Sequence, residues 1–364
     1  MALTGNIGEW SEVYTFFKLL AEGKLFPADG KMNRIRTQPY PIKQVFRDDS
    51  PNRVEYTIDS IKKHVLIRGQ LKSLIVSQAE FAAAAKLFLQ NYHTIKLNDG
   101  AFPEIEEWMH KVLVDKIASK SSDKADIRLV IHNFKTGVEA ELGYSIKSRL
   151  GGKSTLLNAN KDNSNFRYKV LGLPSNTLLT YQAKQLKKGS WLIDRLNFVS
   201  GKGGSFEVAG ICGDALYANL LMLDMGMPRL ISEMLLETYR TGVKSISEIT
   251  DTIKAKDPLK IGAIRNTQPI YEYKVKQFLL AFALGMTVSK PWNGAFNANG
   301  GYIVVKEDGD VVCYHFFDRQ QLEDYLYYNT AFDTPSTSRH EFGSFYQEGK
   351  DTYIKLNIQI RFLL

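Results

Sequence analysis

Apolar residues recur at helical spacing through residues 7–22, IGEWSEVYTFFKLLAE, and the run stops at Gly23, which predicts an amphipathic helix closed by glycine. Residues 23–52 are rich in Pro, Asp and Asn and read as a loop holding at most one strand. Residues 54–67 mix strand and turn signals, whereas 77–90 and 103–120 favour helix by propensity, the second running into the polar stretch 120–124. The period then changes. Residues 127–134 and 138–148 read as strands joined by the turn Lys135-Thr136-Gly137. A loop rich in Gly, Ser, Asn and Asp follows at 151–165, and mostly helical sequence occupies 177–286, broken at 200–205 and at Asp257-Pro258. From Gly301 the pattern is strand-like again, over 302–306, the Asp308-Gly309 turn, 311–317 and 353–362. No repeat or linker interrupts the chain, so one α/β domain with helical insertions and a β-rich C-terminal part is expected over residues 1–364.

Composition adds little to that outline. Hydrophobic residues make up 44% and charged residues 24% of the 364, the balance of a globular chain with a substantial core. Lys and Arg outnumber Asp and Glu, 47 to 39, a formal charge of +8 that permits a polyanionic partner without identifying one. Cys212 and Cys313 are the two cysteines, too few for a disulfide framework or a cysteine-rich zinc site, and a reducing cytoplasm is the expected location. The N-terminal segment lacks the basic and apolar regions of a signal peptide, and the apolar runs 215–227 and 278–286 are too short for a bilayer. No membrane partner is expected.

The hairpin at 126–148 carries the candidate chemistry. Hydrolysing a phosphodiester calls for a cation that polarises the phosphate, carboxylates that hold the cation, and often a lysine near the attacking water. Residues two apart on a strand share a face, so Ser145 and Lys147 in Gly143-Tyr144-Ser145-Ile146-Lys147-Ser148 point the same way, and a hairpin brings Asp126 toward them. On spacing alone a solvated edge hairpin is the more usual reading. Glu9 and Glu12 are three apart on the first helix and so neighbours on one face. Ser148-Arg149-Leu150-Gly151-Gly152-Lys153-Ser154-Thr155 combines hydroxyls, cations and flexible glycines suited to backbone phosphates, or to solvent.

Other motifs fail. Gly152-Lys153-Ser154 resembles the end of a P-loop, but Lys147 stands where the first glycine is needed; Gly201-Lys202-Gly203-Gly204 is followed by Phe206 where a dinucleotide fingerprint needs glycine. His64, His93, His110, His132, His315 and His340 show no paired-ligand spacing, and only His340, in a polar loop beside an arginine, invites a functional reading.

The segments Leu3-Thr4-Gly5-Asn6-Ile7-Gly8-Glu9-Trp10-Ser11-Glu12, Leu142-Gly143-Tyr144-Ser145-Ile146-Lys147-Ser148, Ser154-Thr155-Leu156-Leu157-Asn158, Asp333-Thr334-Pro335-Ser336-Thr337-Ser338-Arg339-His340 and Leu356-Asn357-Ile358-Gln359-Ile360-Arg361-Phe362 together resemble the HpaII family of type II restriction endonucleases. They span nearly the whole chain. The resemblance implies Mg²⁺-dependent cleavage of double-stranded DNA at a short palindrome, CCGG for the namesake, on the PD-(D/E)XK fold, a mixed β-sheet flanked by helices. It makes Asp126 the metal-binding carboxylate, Lys147 the residue that positions or activates water, and Glu12 the supporting acid. Ser145 departs from the pattern, which has Glu or Asp there. Family members with Ser-x-Lys recruit an acid from elsewhere, often a Glu further along, but the corresponding position here is Asn160. Glu12, Glu9 and Glu141 are the remaining candidates, and Glu141 shares strand parity with Lys147.

Arginine reads guanine by paired hydrogen bonds, so Arg339, with Ser336, Ser338 and His340 in one loop, is the candidate base reader within a recognition part at about 300–364. Lys153 and Lys202 are candidate phosphate contacts, with Ser148, Arg149, Ser154, Thr155 and Asn158 beside the hairpin. A palindromic site implies a homodimer, and a restriction enzyme implies a DNA methyltransferase that protects the host. A DNA-binding or regulatory protein on a degenerate nuclease fold is the alternative, and Ser145 is its support.

Overall fold

In a computed structural model, which describes residues 2–49, 52–118, 125–134, 137 and 139–363, the chain forms three sheets and eleven α-helices among the described residues. The N-terminal part runs α1 (Ile7–Glu22), β1 (Lys24–Leu25), β2 (Tyr40–Asp49), β3 (Asn52–Asp59), β4 (His64–Arg68), β5 (Ser73–Ser77), α2 (Gln78–Asn91) and α3 (Pro103–Lys111). The hairpin β6 (Ile127–His132) and β7 (Glu139–Ser148) follows, then β8 (Thr155–Leu157), β9 (Asn165–Leu171), α4 (Ser175–Lys184), α5 (Trp191–Gly201) and β10 (Ser205–Ile211). Helices α6 (Asp214–Leu223), α7 (Met227–Thr241), α8 (Ile246–Lys256), α9 (Ile264–Thr267) and α10 (Ile270–Leu284) come next. The chain closes with β11 (Gly301–Val305), β12 (Val311–His315), α11 (Arg319–Tyr328), β13 (Thr330–Phe332), β14 (Phe345–Glu348), β15 (Asp351–Asn357) and β16 (Ile360–Phe362).

The largest sheet has the order β12-β11-β7-β6-β2-β3-β4-β5, with β1 on β2. Among these pairings β7 with β11 is parallel and the rest are antiparallel, so the sheet is mixed. Alternation along β7 and β11 divides it into two faces. Tyr144, Ile146, Ile303 and Val305 join a core with Trp10, Tyr14, Phe16 and Phe17 of α1 and Phe81 and Phe88 of α2. Tyr302 and Val304 face the other way, into a core built from α7, α10, α11 and the second sheet. That second sheet has the order β10-β9-β15-β14, and the third β13-β16-β8.

Helix α1 begins and ends as its sequence dictates. The Asn6 side chain accepts the Glu9 N–H, the Glu9 carboxylate accepts the Asn6 N–H at 2.7 Å, and Gly23 closes the helix at φ 63°. Such a cap contributes about 1 kcal/mol, whereas each fully buried aromatic along the helix contributes roughly 1.5–3 kcal/mol, so packing decides the helix and capping sets its start.

Several expectations are revised. Helix α3 stops at Lys111 rather than 120 because Leu113 turns left-handed at φ 63°, which lets Val112, Val114 and Ile117 enter the core. Residues 23–52 supply the ten-residue β2 in the middle of the large sheet. β8 lies within the expected 151–165 loop, β9 falls between the segments read as loop and as helix, and β10 interrupts the helical region. In β9 the inward positions Phe166, Tyr168 and Val170 alternate with Arg167 and Lys169, a pattern only seven residues long. The turn residues Lys135 and Thr136 and the polar stretch 120–124 lie outside the described residues.

Gly143 is needed for a close approach: a Cβ there would stand 2.7 Å from the Ala125 Cβ and 2.9 Å from the Asn297 carbonyl oxygen. Gly143→Ala is therefore expected to cost about 1–3 kcal/mol. Urea unfolding should show the lower midpoint, and an unchanged midpoint would mean that the 297–299 turn yields freely.

Candidate active site

The expected hairpin forms, and its register brings Asp126 to Ser145. Ile127 pairs with Tyr144, and the Asp126 N–H, just before β6, donates to the Tyr144 carbonyl at 2.8 Å. The half-buried Asp126 carboxylate turns to β7, where its Oδ2 accepts the Ser145 hydroxyl at 3.0 Å and the Ile146 N–H at 2.6 Å. Among the described residues Oδ1 accepts no hydrogen bond. Ser145, where the family pattern has an acid, thus orients the aspartate instead of adding a charge.

Parallel pairing with β11 sets Tyr302 beside Ser145 and Val304 beside Lys147 on the same face. The Lys147 ammonium lies 5.4 Å from the centre of the Tyr302 ring, and no carboxylate is within ion-pair distance among the described residues. Burial pushes the Tyr302 hydroxyl well above its ordinary value, with Tyr325 and Asp126 adding to the shift. Residues 299–300, just before β11, continue its pairing along β7: the Asn299 side chain accepts the Gly143 N–H at 2.8 Å, and the Gly300 N–H donates to the Gly143 carbonyl at 2.7 Å. Sequence reasoning missed Tyr302 and Asn299; the Gly300-Gly301 doublet opening a strand was the available signal.

The three expected supporting acids separate. Glu9 holds the N-cap of α1. Glu141 pairs with Arg53 at 2.5 Å and Arg128 at 4.0 Å, and its six-residue offset from Lys147 is about 20 Å along a strand, too far to share one ion. Glu12 is half-buried on α1, whose first turn seats Ile7 against Gly151 just past β7. That helix packs on the face of the sheet opposite Ser145 and Lys147. Among the described residues no three His, Cys, Asp or Glu side chains gather into a metal-binding group. The donor chemistry nonetheless fits Mg²⁺, which is held by one or two carboxylates with waters and substrate phosphate oxygens completing its shell.

The segment after β7 is stitched to the C-terminal strands. The Arg149 guanidinium donates to the Leu363 carbonyl at 3.0 Å, the Phe362 N–H donates to the Ser154 carbonyl at 2.9 Å, and Thr155 pairs with Arg361. Arg149 therefore has a structural bond where a DNA contact was expected. Ser148 is buried and its hydroxyl accepts the Leu150 N–H; Lys153 and Asn158 are exposed, as is Lys202 at the end of α5. Arg361 continues the link by pairing with Asp333 at 2.8 Å, at the start of the loop that carries Arg339. Arg339 is exposed; its N–H donates to the Ser336 hydroxyl, which also bonds Ser338 at 3.2 Å. The His340 carbonyl accepts the Asn165 side chain at 3.1 Å, and its ring Nδ1 is buried without a hydrogen-bond partner among the described residues. Burial, then the neighbouring Arg339 charge, holds the imidazolium below its ordinary pKa.

The model of the HpaII restriction endonuclease family matches residues 6–362. The type II restriction enzyme HpaII of Haemophilus parainfluenzae is similar to this chain, 36% identical over 361 residues that cover 99% of each protein. No solved structure matches the chain. Among the described residues no helix is long and apolar enough to cross a membrane.

The depressed His340 pKa has a signed consequence for stability. The unfolded histidine binds its proton near pH 6.5 and the folded one at lower pH, so below pH 6.5 the unfolded state takes up more protons. The stabilisation is complete above that value and is lost as pH falls through the folded pKa. Urea midpoints measured from about pH 7.5 down to 5 should fall more steeply for the wild type than for His340→Gln. Parallel curves would contradict the assignment.

Proposed function

The chain belongs to the HpaII restriction endonuclease family, a type II site-specific deoxyribonuclease, and from this premise we propose that Asp126 and Lys147 cleave double-stranded DNA at CCGG with Mg²⁺. The observation that carries the reading is the Asp126 carboxylate, fixed by Ser145 and Ile146, on the face that also presents Lys147.

When bound, Mg²⁺ supplies the charge that polarises the scissile phosphate. Ser145 and the Ile146 N–H occupy one oxygen of Asp126 and leave the other without a hydrogen bond among the described residues, the oxygen proposed for the cation. Lys147, over the Tyr302 ring and without a carboxylate partner among the described residues, holds its positive charge for the phosphate and for the water that attacks it. Glu12, half-buried on α1, is the acid proposed to complete the set. A two-fold homodimer would bring one such site to each strand of a palindrome. The proposal includes residues 1–364 acting as one endonuclease unit, a cytoplasmic location, and a methyltransferase that protects the host's sites; free Cys212 and Cys313 fit a reducing compartment. Arg339, exposed in the loop tied through Asp333 to the segment after β7, is the proposed reader of guanine, flanked by Ser336, Ser338 and His340. Lys153, Ser154, Thr155, Asn158 and Lys202 are proposed to meet backbone phosphates.

Plasmid incubated with the protein and Mg²⁺ should yield discrete fragments, and EDTA should suppress them. Asp126→Asn and Lys147→Ala should each cut at least about 100-fold more slowly while still binding duplex, the loss typical of a removed catalytic group. Full-rate cutting by either variant would refute the mechanism. Arg339→Ala should narrow the preference for cognate over single-mismatch duplex by about 1–3 kcal/mol, and an undiminished preference would move base reading elsewhere.

A further inference from the structure

The loop between β13 and β14 walls a cleft of about 350 Å³ away from the Asp126 hairpin. Two lysines enter it from distant parts of the chain, Lys187 from the turn after α4 and Lys355 from β15. Each ammonium rests on an aromatic ring, Lys187 at 5.5 Å from Trp191 and Lys355 at 5.4 Å from Tyr346. Neither has a carboxylate within ion-pair distance among the described residues. A ring face stabilises a cation without cancelling its charge, so two positive charges converge on one cleft.

Thr337, Ser338 and Ser344, each carrying a hydroxyl, line the same space. The Tyr346 hydroxyl is shielded from solvent beside the Arg167 guanidinium, so Tyr346 contributes to the wall through its ring, under Lys355. Its ring is held in place by stacking on Tyr353 at 5.9 Å, which in turn carries Arg167 at 4.6 Å. The acid on the wall, Glu341, is compensated by Lys161 at 2.6 Å. Two uncompensated ammonium groups with hydroxyl donors form a receptor for an anion rich in acceptor oxygens.

We propose that this cleft binds a backbone phosphate of duplex DNA and thereby anchors the 333–344 loop, so that Arg339 is presented to the bases from a fixed position. The proposal rests on the nuclease reading. It gives Lys187 and Lys355 a sequence-independent role, distinct from that of Arg339.

The test measures the affinity of wild type, Lys187→Gln, Lys355→Gln and the double variant for a CCGG duplex and for an unrelated duplex over a series of salt concentrations, without Mg²⁺. One lost phosphate contact should flatten the plot of log affinity against log salt by about 0.9, and the double variant should show the largest change, on both duplexes alike. The double Lys→Arg variant should keep the wild-type slope, which separates a charge effect from damage to the fold. A wild-type slope in the double glutamine variant would overturn the proposal, as would a loss confined to the CCGG duplex. Wild-type protein that neither bound nor cut any duplex would refute the nuclease reading itself.

Discussion

The parallel pairing of β7 with β11 is the constraint from which the architecture follows. Parallel strands cannot be joined by a tight turn, and here everything from Arg149 to Gly300 must leave one end of the sheet and return to the other. That excursion contains β8, β9, β10 and helices α4 to α10, which cover the sheet face left open by α1, α2 and α3. Because the same pairing sets Tyr302 beside Ser145, it also furnishes the ring under Lys147. Fold and site therefore share one set of hydrogen bonds.

Legibility in the sequence tracked how local each signal was. Helix α1 carried its cap, its stripe and its stop within one window, and the β6–β7 hairpin carried two alternating strands and a short turn. Asp126 and Lys147 were identifiable because a hairpin relates them by nearby residues. Ser145 was visible as a missing acid, but its role was not, since a hydroxyl that orients a carboxylate differs from a surface serine only in three dimensions. β9 and β10 escaped because such short strands, one before and one within the helical region, owe their existence to partners such as β15, almost two hundred residues from β9. Helix α3 was read too long for the same reason: burial of Val112 and Val114 overrode a propensity that continued past Lys111. Tyr302 and Asn299 belong to that class too, as neighbours of the hairpin only through the distant β11.

One electrostatic arrangement recurs. Lys147, Lys187 and Lys355 each lie about 5.5 Å from an aromatic ring and lack an acidic partner among the described residues, whereas Lys161, Lys169 and Lys256 are paired with carboxylates at 2.5–2.8 Å. A carboxylate neutralises a lysine before substrate arrives and must be displaced, while a ring positions the ammonium and leaves its field intact. The distinction sorts the basic residues by availability, which a net charge of +8 cannot do.

The stitching of Arg149 to Leu363, Ser154 to Phe362 and Thr155 to Arg361 has a consequence in time. The hairpin is synthesised well before residues 360–363, and until those emerge from the ribosome the segment leaving β7 lacks its sheet partner and its anchor. The surroundings of the proposed site thus include contacts that the chain supplies only at residues 360–363. A chain lacking residues 360–363 would leave the segment after β7 without the strand that pairs with it.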